Sequence, residues 1–319
     1  MQILDETVIN KFLTYESLID HLEKCHKKPK YIIDDWLLNS GNDNHIQNEF
    51  RHRVAWEPNK WLGIKCVTDF PENISKPTKK PRVQGVFILF NGECGTPEAI
   101  IDSQPLSNWK TACDSALGSR FLSKRSASSL LMIGAGTLAE PLIKAHLSVR
   151  KNIQIIRIWN RSISKAHALA KKLKSNGTDF IVAENLPEAA YNSEIIVSAT
   201  RSTSPIILSE WIRPGTHIDL VGAFTPDMRE AEDKIIKRGQ IFVDCRETTV
   251  DKIGELILPI ENGTIKKEDI CADLFELCNH IHQGRKKNTA ITIFKNGGGG
   301  HLDLMTASHI FEKFKKFNN

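Results

Sequence analysis

The chain lacks any apolar run long enough to span a bilayer. Its longest apolar stretches, such as Ser129–Ile133 and Ile155–Trp159, stop far short of the roughly 20 residues needed. The opening Met1-Gln2-Ile3-Leu4-Asp5-Glu6 has neither a basic stretch nor an apolar core, so no secretory signal is expected. Seven cysteines (25, 66, 94, 113, 245, 271, 278) never fall as C-x-x-C, which argues against a zinc cage or a disulfide framework. Reduced, mostly buried thiols in a cytoplasmic protein are the expectation. Blocks of like charge are missing too. The formal charge is only +5, and the basic runs Lys27-Lys28-Pro29-Lys30 and Arg285-Lys286-Lys287 are short and far apart. A nucleic-acid partner is not expected, because such binders concentrate charge on one face and interleave aromatics. His52, His217 and His301 have no ligand partners at metal-site spacing, so they are read as structural or surface residues and no metal is expected.

What is present is the composition of a folded protein, 40% apolar and 25% charged, in a chain of 319 residues that is long for a single core. From about residue 128, short Ile- and Val-rich runs alternate with helical patterns. Ser129–Ile133, Ile153–Trp159, Phe180–Ala183, Glu194–Ser198, His217–Val221 and Gln240–Val243 read as strands. Helical patterns run through Leu142 to His146 and over Ser164–Leu173. Strands of this kind separated by helices predict a parallel sheet covered on both faces, the doubly wound α/β arrangement of Rossmann type. The first 115 residues differ. Helices are predicted over Glu6–Phe12 and Tyr15–Cys25, then extended segments at Leu62–Thr68, Gln84–Asn91 and Ala99–Asp102 broken by prolines and glycines. That is an α+β pattern with hairpins, and a helical tail over Leu302–Phe317 is expected to pack back on it. The run Gly297–Gly300 permits either a close backbone approach or a linker.

Gly134-Ala135-Gly136-Thr137-Leu138-Ala139 fits G-x-G-x-x-A between a strand and a helix. The first glycine permits the tight turn, the second lets a pyrophosphate approach the backbone, and Ala139 allows close helix packing. The free N–H groups at Thr137 and Leu138 would then face phosphate. Nucleotide choice is set at the tip of the second strand, where an acid would bind a ribose 2′-hydroxyl. The chain instead has Asn160-Arg161-Ser162, about 26 residues beyond Gly134. Arg161 can pair with a 2′-phosphate and Ser162 can donate to it, so NADP(H) is expected as the preferred cofactor, with NAD(H) possible.

Four stretches stand out: Gly63-Ile64-Lys65-Cys66-Val67 followed by Phe70-Pro71-Glu72-Asn73, Gly95–Asp102, Leu106-Ser107-Asn108-Trp109-Lys110-Thr111-Ala112, and Val221–Glu230. Together they resemble the ornithine cyclodeaminase/mu-crystallin family. The resemblance implies a discontinuous α+β substrate and dimerisation domain, residues 1–118 completed by 296–319, around a dinucleotide domain at 119–295. It implies a homodimer, and it places Thr111, Ala199, Thr200, Val221 and Gly222 beside the cofactor. Two departures stand out. Lys110 occupies the usual arginine position, and Phe224 stands where ornithine cyclodeaminases carry an aspartate that handles the substrate amine. A phenyl ring can neither accept a proton nor orient an ammonium.

The resemblance therefore implies NADPH-dependent reduction of a cyclic ketimine carboxylate of the pyrroline- or piperideine-2-carboxylate kind. Lys65 and Lys110 would be the catalytic residues, holding the carboxylate beside the carbon that receives hydride, with Arg53 as a further contact. Bland readings stand beside each: Lys65 as a solvated edge residue, Lys110 as a surface helix lysine, Arg53 as a solvated arginine, and Asp303 as an acid at a helix N-terminus. Three alternatives stay open: ornithine cyclodeamination to proline and ammonia, an alanine dehydrogenase-like activity, and a non-catalytic NADPH-binding protein.

Overall fold

The structure is a computed structural model that describes residues 1–28, 31–40, 48–77, 79–174 and 177–318. Pro29 and Lys30, the end of the first basic run, lie outside them. The chain divides into two compact units, 1–110 with 299–319, and 111–298.

The first unit is built on a six-stranded sheet. Its strands are β1 (Gln2–Leu4), β2 (Ile32–Asn39), β3 (Glu49–Glu57), β4 (Trp61–Asp69), β5 (Val83–Asn91) and β6 (Pro97–Asp102), in the order β1-β6-β5-β4-β3-β2. β2 through β6 form an antiparallel meander, and β1 joins β6 in parallel. Because side chains alternate along a strand, register decides which residues share a face. Ala55, Gly63, Leu89 and Ala99 lie side by side, and so do Asp35, Arg53, Lys65, Phe87 and Ile101. Ala55, Phe87, Leu89, Ala99 and Ile101 of these two rows are wholly buried. The helices Glu6–Phe12 and Tyr15–His26 are capped by Asp5 and Thr14, whose side chains accept from Val8 and Ser17 N–H. The helix Gly300–Asn318 packs on β3 and β4, as the apolar pattern of the tail predicts. Its buried face is Leu302, Leu304, Met305, Ile310 and Phe311.

The second unit holds an eight-stranded, all-parallel sheet. Its strands are β7 (Ser129–Ile133), β8 (Ile155–Trp159), β9 (Asp179–Val182), β10 (Ile195–Ser198), β11 (His217–Leu220), β12 (Gln240–Val243), β13 (Ile270–Asp273) and β14 (Thr292–Lys295). The order is β13-β12-β14-β11-β10-β7-β8-β9. From β7 the chain steps outward through β8 and β9, then returns to the other side of β7 with β10 and β11. The doubly wound expectation is met, and the strand order reverses between β7 and β10. In open α/β sheets, ligands bind at the carboxyl ends of the strands beside that reversal.

The unit boundaries at 110/111 and 298/299 differ from the 118/119 and 295/296 predicted from the sequence. The residues in between are tied to the parallel sheet. Ser115 donates to Asp219 at 3.2 Å, Asn296 Nδ2 donates to the Thr111 carbonyl at 3.2 Å, and a Cβ on Gly118 would strike the Phe294 ring. Asp244 accepts from Gly297 N–H at 2.9 Å and Gly298 N–H at 2.5 Å. The glycine run thus begins as a strap held by a buried carboxyl group. No helix among the described residues is long and apolar enough to cross a membrane.

Candidate active site

In the first unit, register places Arg53 directly beside Lys65 on the inner face of the sheet, with Asp35 beside Arg53. Lys65 is buried in the interior strand β4, not a solvated edge residue. Its Nζ donates to Ser107 Oγ at 2.7 Å and to Asp303 Oδ1 and Oδ2 at 3.1 and 3.3 Å. Ser107 in turn donates to the Ser103 carbonyl at 2.6 Å, which fixes its lone pairs toward the lysine. Asp303 does lie in the first turn of its helix, but it is wholly buried and its charge is spent on Lys65. A helix-end role alone does not describe it.

Arg53 is half-buried, with Nε 3.4 Å from Asp35 Oδ2, which corrects its reading as a solvated arginine. Lys110 is 3% exposed, so the surface reading fails for it as well, and it makes no salt bridge among the described residues. His301 is buried beside them. Burial, with His26, Lys110 and Arg53 nearby, drives its pKa well below the usual value, so it is neutral. Arg51, next to Arg53 on the same face, is offset by Glu49 at 3.9 Å, and the cluster then sets three cations, Arg53, Lys65 and Lys110, against two carboxyl groups, Asp35 and Asp303. One positive charge is left over. Burial lowers the Lys65 pKa to about 8, with Asp303 opposing the fall and Lys110 and Arg53 adding to it. Burial pushes Asp303 up, but Lys65, Lys110 and Arg53 outweigh it and hold the carboxyl below its ordinary range. Burial raises Asp35, against the pull of Arg53. Such an excess of buried positive charge is costly until an anion arrives. It suits a single carboxylate.

The second unit carries the phosphate turn. Gly134 sits at φ +107°, where L side chains are rarely found, and a Cβ there would come within 2.6 Å of the Ala199 carbonyl oxygen. Around Gly136, by contrast, a Cβ would meet nothing within 4 Å, so the space in front of the turn is open. Thr137 and Leu138 lead into the helix Ala139–Val149, which has no side-chain cap at its N-terminus. Those uncapped N–H donors suit a phosphate. Glu140, in the first turn, is neutralised by Lys144 and Lys172 at 2.7 and 2.6 Å.

Asn160 braces the turn, with Oδ1 accepting from Ala135 N–H at 3.1 Å and Nδ2 donating to the Ser162 carbonyl at 2.9 Å. Arg161 and Ser162 are exposed at the tip of β8, and Ser162 Oγ lies 3.0 Å from Ser164 Oγ. Ala199 and Thr200 follow β10 and Val221 and Gly222 follow β11, so all four stand at the carboxyl end of the sheet. Phe224, 44% exposed, belongs to the same loop as Gly222. His217 is buried at the opposite end of β11, with Nδ1 3.0 Å from Thr292 Oγ1. The turn, the open space before it and the bare helix end fit a dinucleotide.

Sequence reasoning missed Ser107 as a partner of Lys65, and it missed Glu230. The side chain of Glu230 is wholly buried under the loops after β10 and β11. Its only trace in the sequence was an acid closing the segment Val221–Glu230.

The model of the ornithine cyclodeaminase/mu-crystallin family matches residues 55–318. A Delta(1)-pyrroline-2-carboxylate reductase of Paracoccus denitrificans is 39% identical over 298 residues, covering 93% of this chain and 92% of that protein. The structure of a Delta(1)-pyrroline-2-carboxylate reductase of Thermococcus litoralis, in complex with NADH and L-proline, superposes with a TM-score of 0.88. It is 25% identical, and the match covers 100% of this chain and 98% of that one. An archaeal alanine dehydrogenase dimer with bound NAD shares the fold at a TM-score of 0.90, with 24% identity over 100% of this chain and 97% of that one.

Proposed function

Since the chain belongs to the ornithine cyclodeaminase/mu-crystallin family, we propose that it is an NADPH-preferring reductase of a cyclic ketimine carboxylate, pyrroline- or piperideine-2-carboxylate, giving the L-imino acid. The observation that carries this reading is the surplus positive charge at Arg53, Lys65 and Lys110, sized for one carboxylate. The identity to a pyrroline-2-carboxylate reductase supports it. A reduced nicotinamide dinucleotide, when bound, supplies the hydride for the imine carbon beside the carboxylate.

Gly134, Gly136, Thr137 and Leu138 would hold the pyrophosphate, and Ala199, Thr200, Val221, Gly222 and Thr111 would border the rest of the cofactor. Arg161 and Ser162 would take a 2′-phosphate, and their chain neighbours Trp159, Asn160, Ile163 and Ser164 carry no negative charge to repel it. Lys65 and Lys110 bind the carboxylate and fix the orientation of the carbon next to it, with Arg53 behind them. Holding reactants in one geometry lowers a barrier by up to several kcal/mol. At neutral pH Lys65 keeps its proton, so its charge is available. A cyclic imine that is already protonated accepts hydride readily, and no acid at position 224 is then required. Phe224 argues against ornithine deamination for the same reason that it is compatible with this chemistry.

The chain is proposed to act as a cytoplasmic homodimer. Cys25, Cys66, Cys94, Cys245 and Cys271 are free thiols, as a reducing compartment allows. The outer face of the first unit's sheet exposes Ile32, Trp36, Leu38, Phe50, Trp56 and Val86, an apolar surface of the kind that a second copy covers. The activity is tested by following NADPH and NADH absorbance at 340 nm with pyrroline-2-carboxylate, piperideine-2-carboxylate, and pyruvate with ammonia. Oxidation with the cyclic imines, NADPH being favoured, is expected. Tight binding of NADPH without turnover on any of them would instead favour the non-catalytic reading, and proline with ammonia from ornithine would favour the cyclodeaminase.

A further inference from the structure

Glu230 ends the loop that follows β11, and its side chain is wholly buried. Its Oε1 accepts from the Ser198 hydroxyl at 2.5 Å and from the Thr200 N–H and hydroxyl, both at 2.8 Å. Its Oε2 accepts from Gly222 N–H at 2.6 Å. One carboxyl group therefore ties the end of β10 to the end of β11. The packing between them is tight. A Cβ on Gly222 would stand 2.1 Å from the Thr200 carbonyl oxygen and 2.6 Å from Glu230 Oε1. Gly134 presses on Ala199 in the same way, so the phosphate turn, residues 199–200 and Gly222 form one stack with Glu230 beneath it.

Glu230 is itself fixed from behind. Its N–H donates to Glu255 Oε2 at 2.8 Å, and Ala231 N–H donates to Glu255 Oε1 at 2.9 Å. Burial, with Glu230 as the next cause, pushes the Glu255 pKa up to about 7. Four donors converge on a group that offers none in return, and only a carboxyl anion accepts them all. An amide in its place would turn an NH₂ against at least one of them, leaving a buried donor unpaired.

Strand order says which half of the ligand these loops serve. The residues expected at the adenosine end lie at the tip of β8, and the pyrophosphate turn follows β7. A dinucleotide laid across the reversal puts its nicotinamide half over β10 and β11. We propose that Glu230 is a positioning residue for the nicotinamide half of the cofactor, acting through the backbone of Ala199, Thr200 and Gly222 without touching the ligand. This rests on the dinucleotide reading given above.

The test is binding, not turnover. NADPH is titrated by its fluorescence and ADP by calorimetry, against the full chain and Glu230→Gln. ADP has the adenosine and pyrophosphate but no nicotinamide. The variant is expected to bind NADPH about tenfold more weakly and ADP within about twofold of wild type, one lost buried hydrogen bond being worth roughly that factor. Equal weakening for both ligands would mark Glu230 as a general structural residue and overturn the proposal. So would no weakening for either. Should Glu230→Gln not fold, Ser198→Ala removes one of the four donors from a residue away from the ligand, and the same two ligands decide: NADPH weakened alone supports the assignment, any other pattern overturns it. A wild-type chain that binds neither ligand overturns the cofactor reading and this proposal with it, and that arm separates the two failures.

Discussion

Lys65 and Asp303 lie 238 residues apart in the chain, yet Nζ and Oδ1 are 3.1 Å apart in the fold, with Asp303 wholly out of water. The pair is the hinge of the site's electrostatics. Asp303 raises the Lys65 pKa against the effect of burial. Removing that carboxylate in Asp303→Asn is expected to lower the lysine further, below about 8. In wild type, kcat/KM for the imine should fall as pH rises through about 8, because the protonated lysine that holds the carboxylate is lost. In Asp303→Asn the fall should begin at lower pH. The pH profiles of the two proteins check this, and coincident high-pH limbs would remove Lys65 from the carboxylate site.

The same substitution should cost stability. Breaking a buried ion pair by removing one partner leaves the other charge uncompensated, which costs about 3–5 kcal/mol. Denaturant unfolding of Asp303→Asn against wild type at pH 7 measures this directly. Asp303→Asn combined with Lys65→Met should recover part of the loss, since the stranded charge is gone.

On the proposed reading, the choice between NADPH and NADH rests on Arg161. It is exposed at the strand tip, where Asn160 is already committed to Ala135 and Ser162. A charge-assisted contact to a 2′-phosphate contributes about 1.5–3 kcal/mol. Arg161→Ala should therefore lower kcat/KM for NADPH about tenfold or more, and leave NADH nearly unchanged. Equal losses for the two nucleotides would show that the arginine does not read the 2′ position.

A pH effect on stability follows from Asp219. Burial pushes its pKa from 3.8 to about 7, only partly offset by the Ser115 hydrogen bond and Lys295. Lys295, Glu230 and Asp244 are the charged neighbours that act on it, and His146 Nε2 lies 3.6 Å from its Oδ2. A carboxyl whose folded pKa is raised favours folding fully below its unfolded pKa, and that advantage is lost as pH rises through the folded value. Asp219→Asn copies the protonated acid at every pH. Relative to wild type it should gain stability from about pH 4 to about pH 7, by up to about 1.4 kcal/mol per pH unit, and then level off. Unfolding free energies of both proteins at four or five pH values test the slope. A difference that stays flat with pH contradicts the raised pKa.

The second unit was legible because parallel strands buried on both faces read as apolar runs, as in Ser-Leu-Leu-Met-Ile at 129–133, and because Gly134 and Gly136 punctuate the first of them. The first unit was harder to read. β2, Ile-Ile-Asp-Asp-Trp-Leu-Leu-Asn, does not alternate cleanly, since its inward row holds Asp35 while Trp36 and Leu38 point outward into solvent. A strand with a charge on its inner face and apolar groups outside looks like no strand at all. β14 hid for a related reason, because it ends on Lys295, a wholly buried cation that donates to the Leu220 and Asn296 carbonyls. Resemblance, not pattern, points to Lys65 and Lys110. Asp303 reads from the sequence as a helix-end acid, because its partner is distant in the chain. Glu230 offers no periodicity at all, and only the donors gathered around it in the fold single it out.

Lys110 stands where the family resemblance implies an arginine. At 3% exposure it contributes a charge with no salt-bridge partner among the described residues, so it is the cation with most to gain from an incoming carboxylate. Lys110→Met keeps much of the stem and removes the charge. The cluster then holds two cations against two carboxyl groups, and its surplus disappears. Losing a charged contact to a carboxylate should raise KM about tenfold to a hundredfold. If placement is also lost, kcat falls with it, since the carbon is no longer held for attack. Stability should rise, because the buried charge that lacked a partner is gone. That opposite movement of stability and activity is the discriminating sign, read by denaturant unfolding alongside initial rates across a range of imine concentrations. Lys110→Arg keeps the charge in a wider, planar head and should retain more activity than the methionine variant. A methionine variant with wild-type KM and kcat would remove Lys110 from the site altogether.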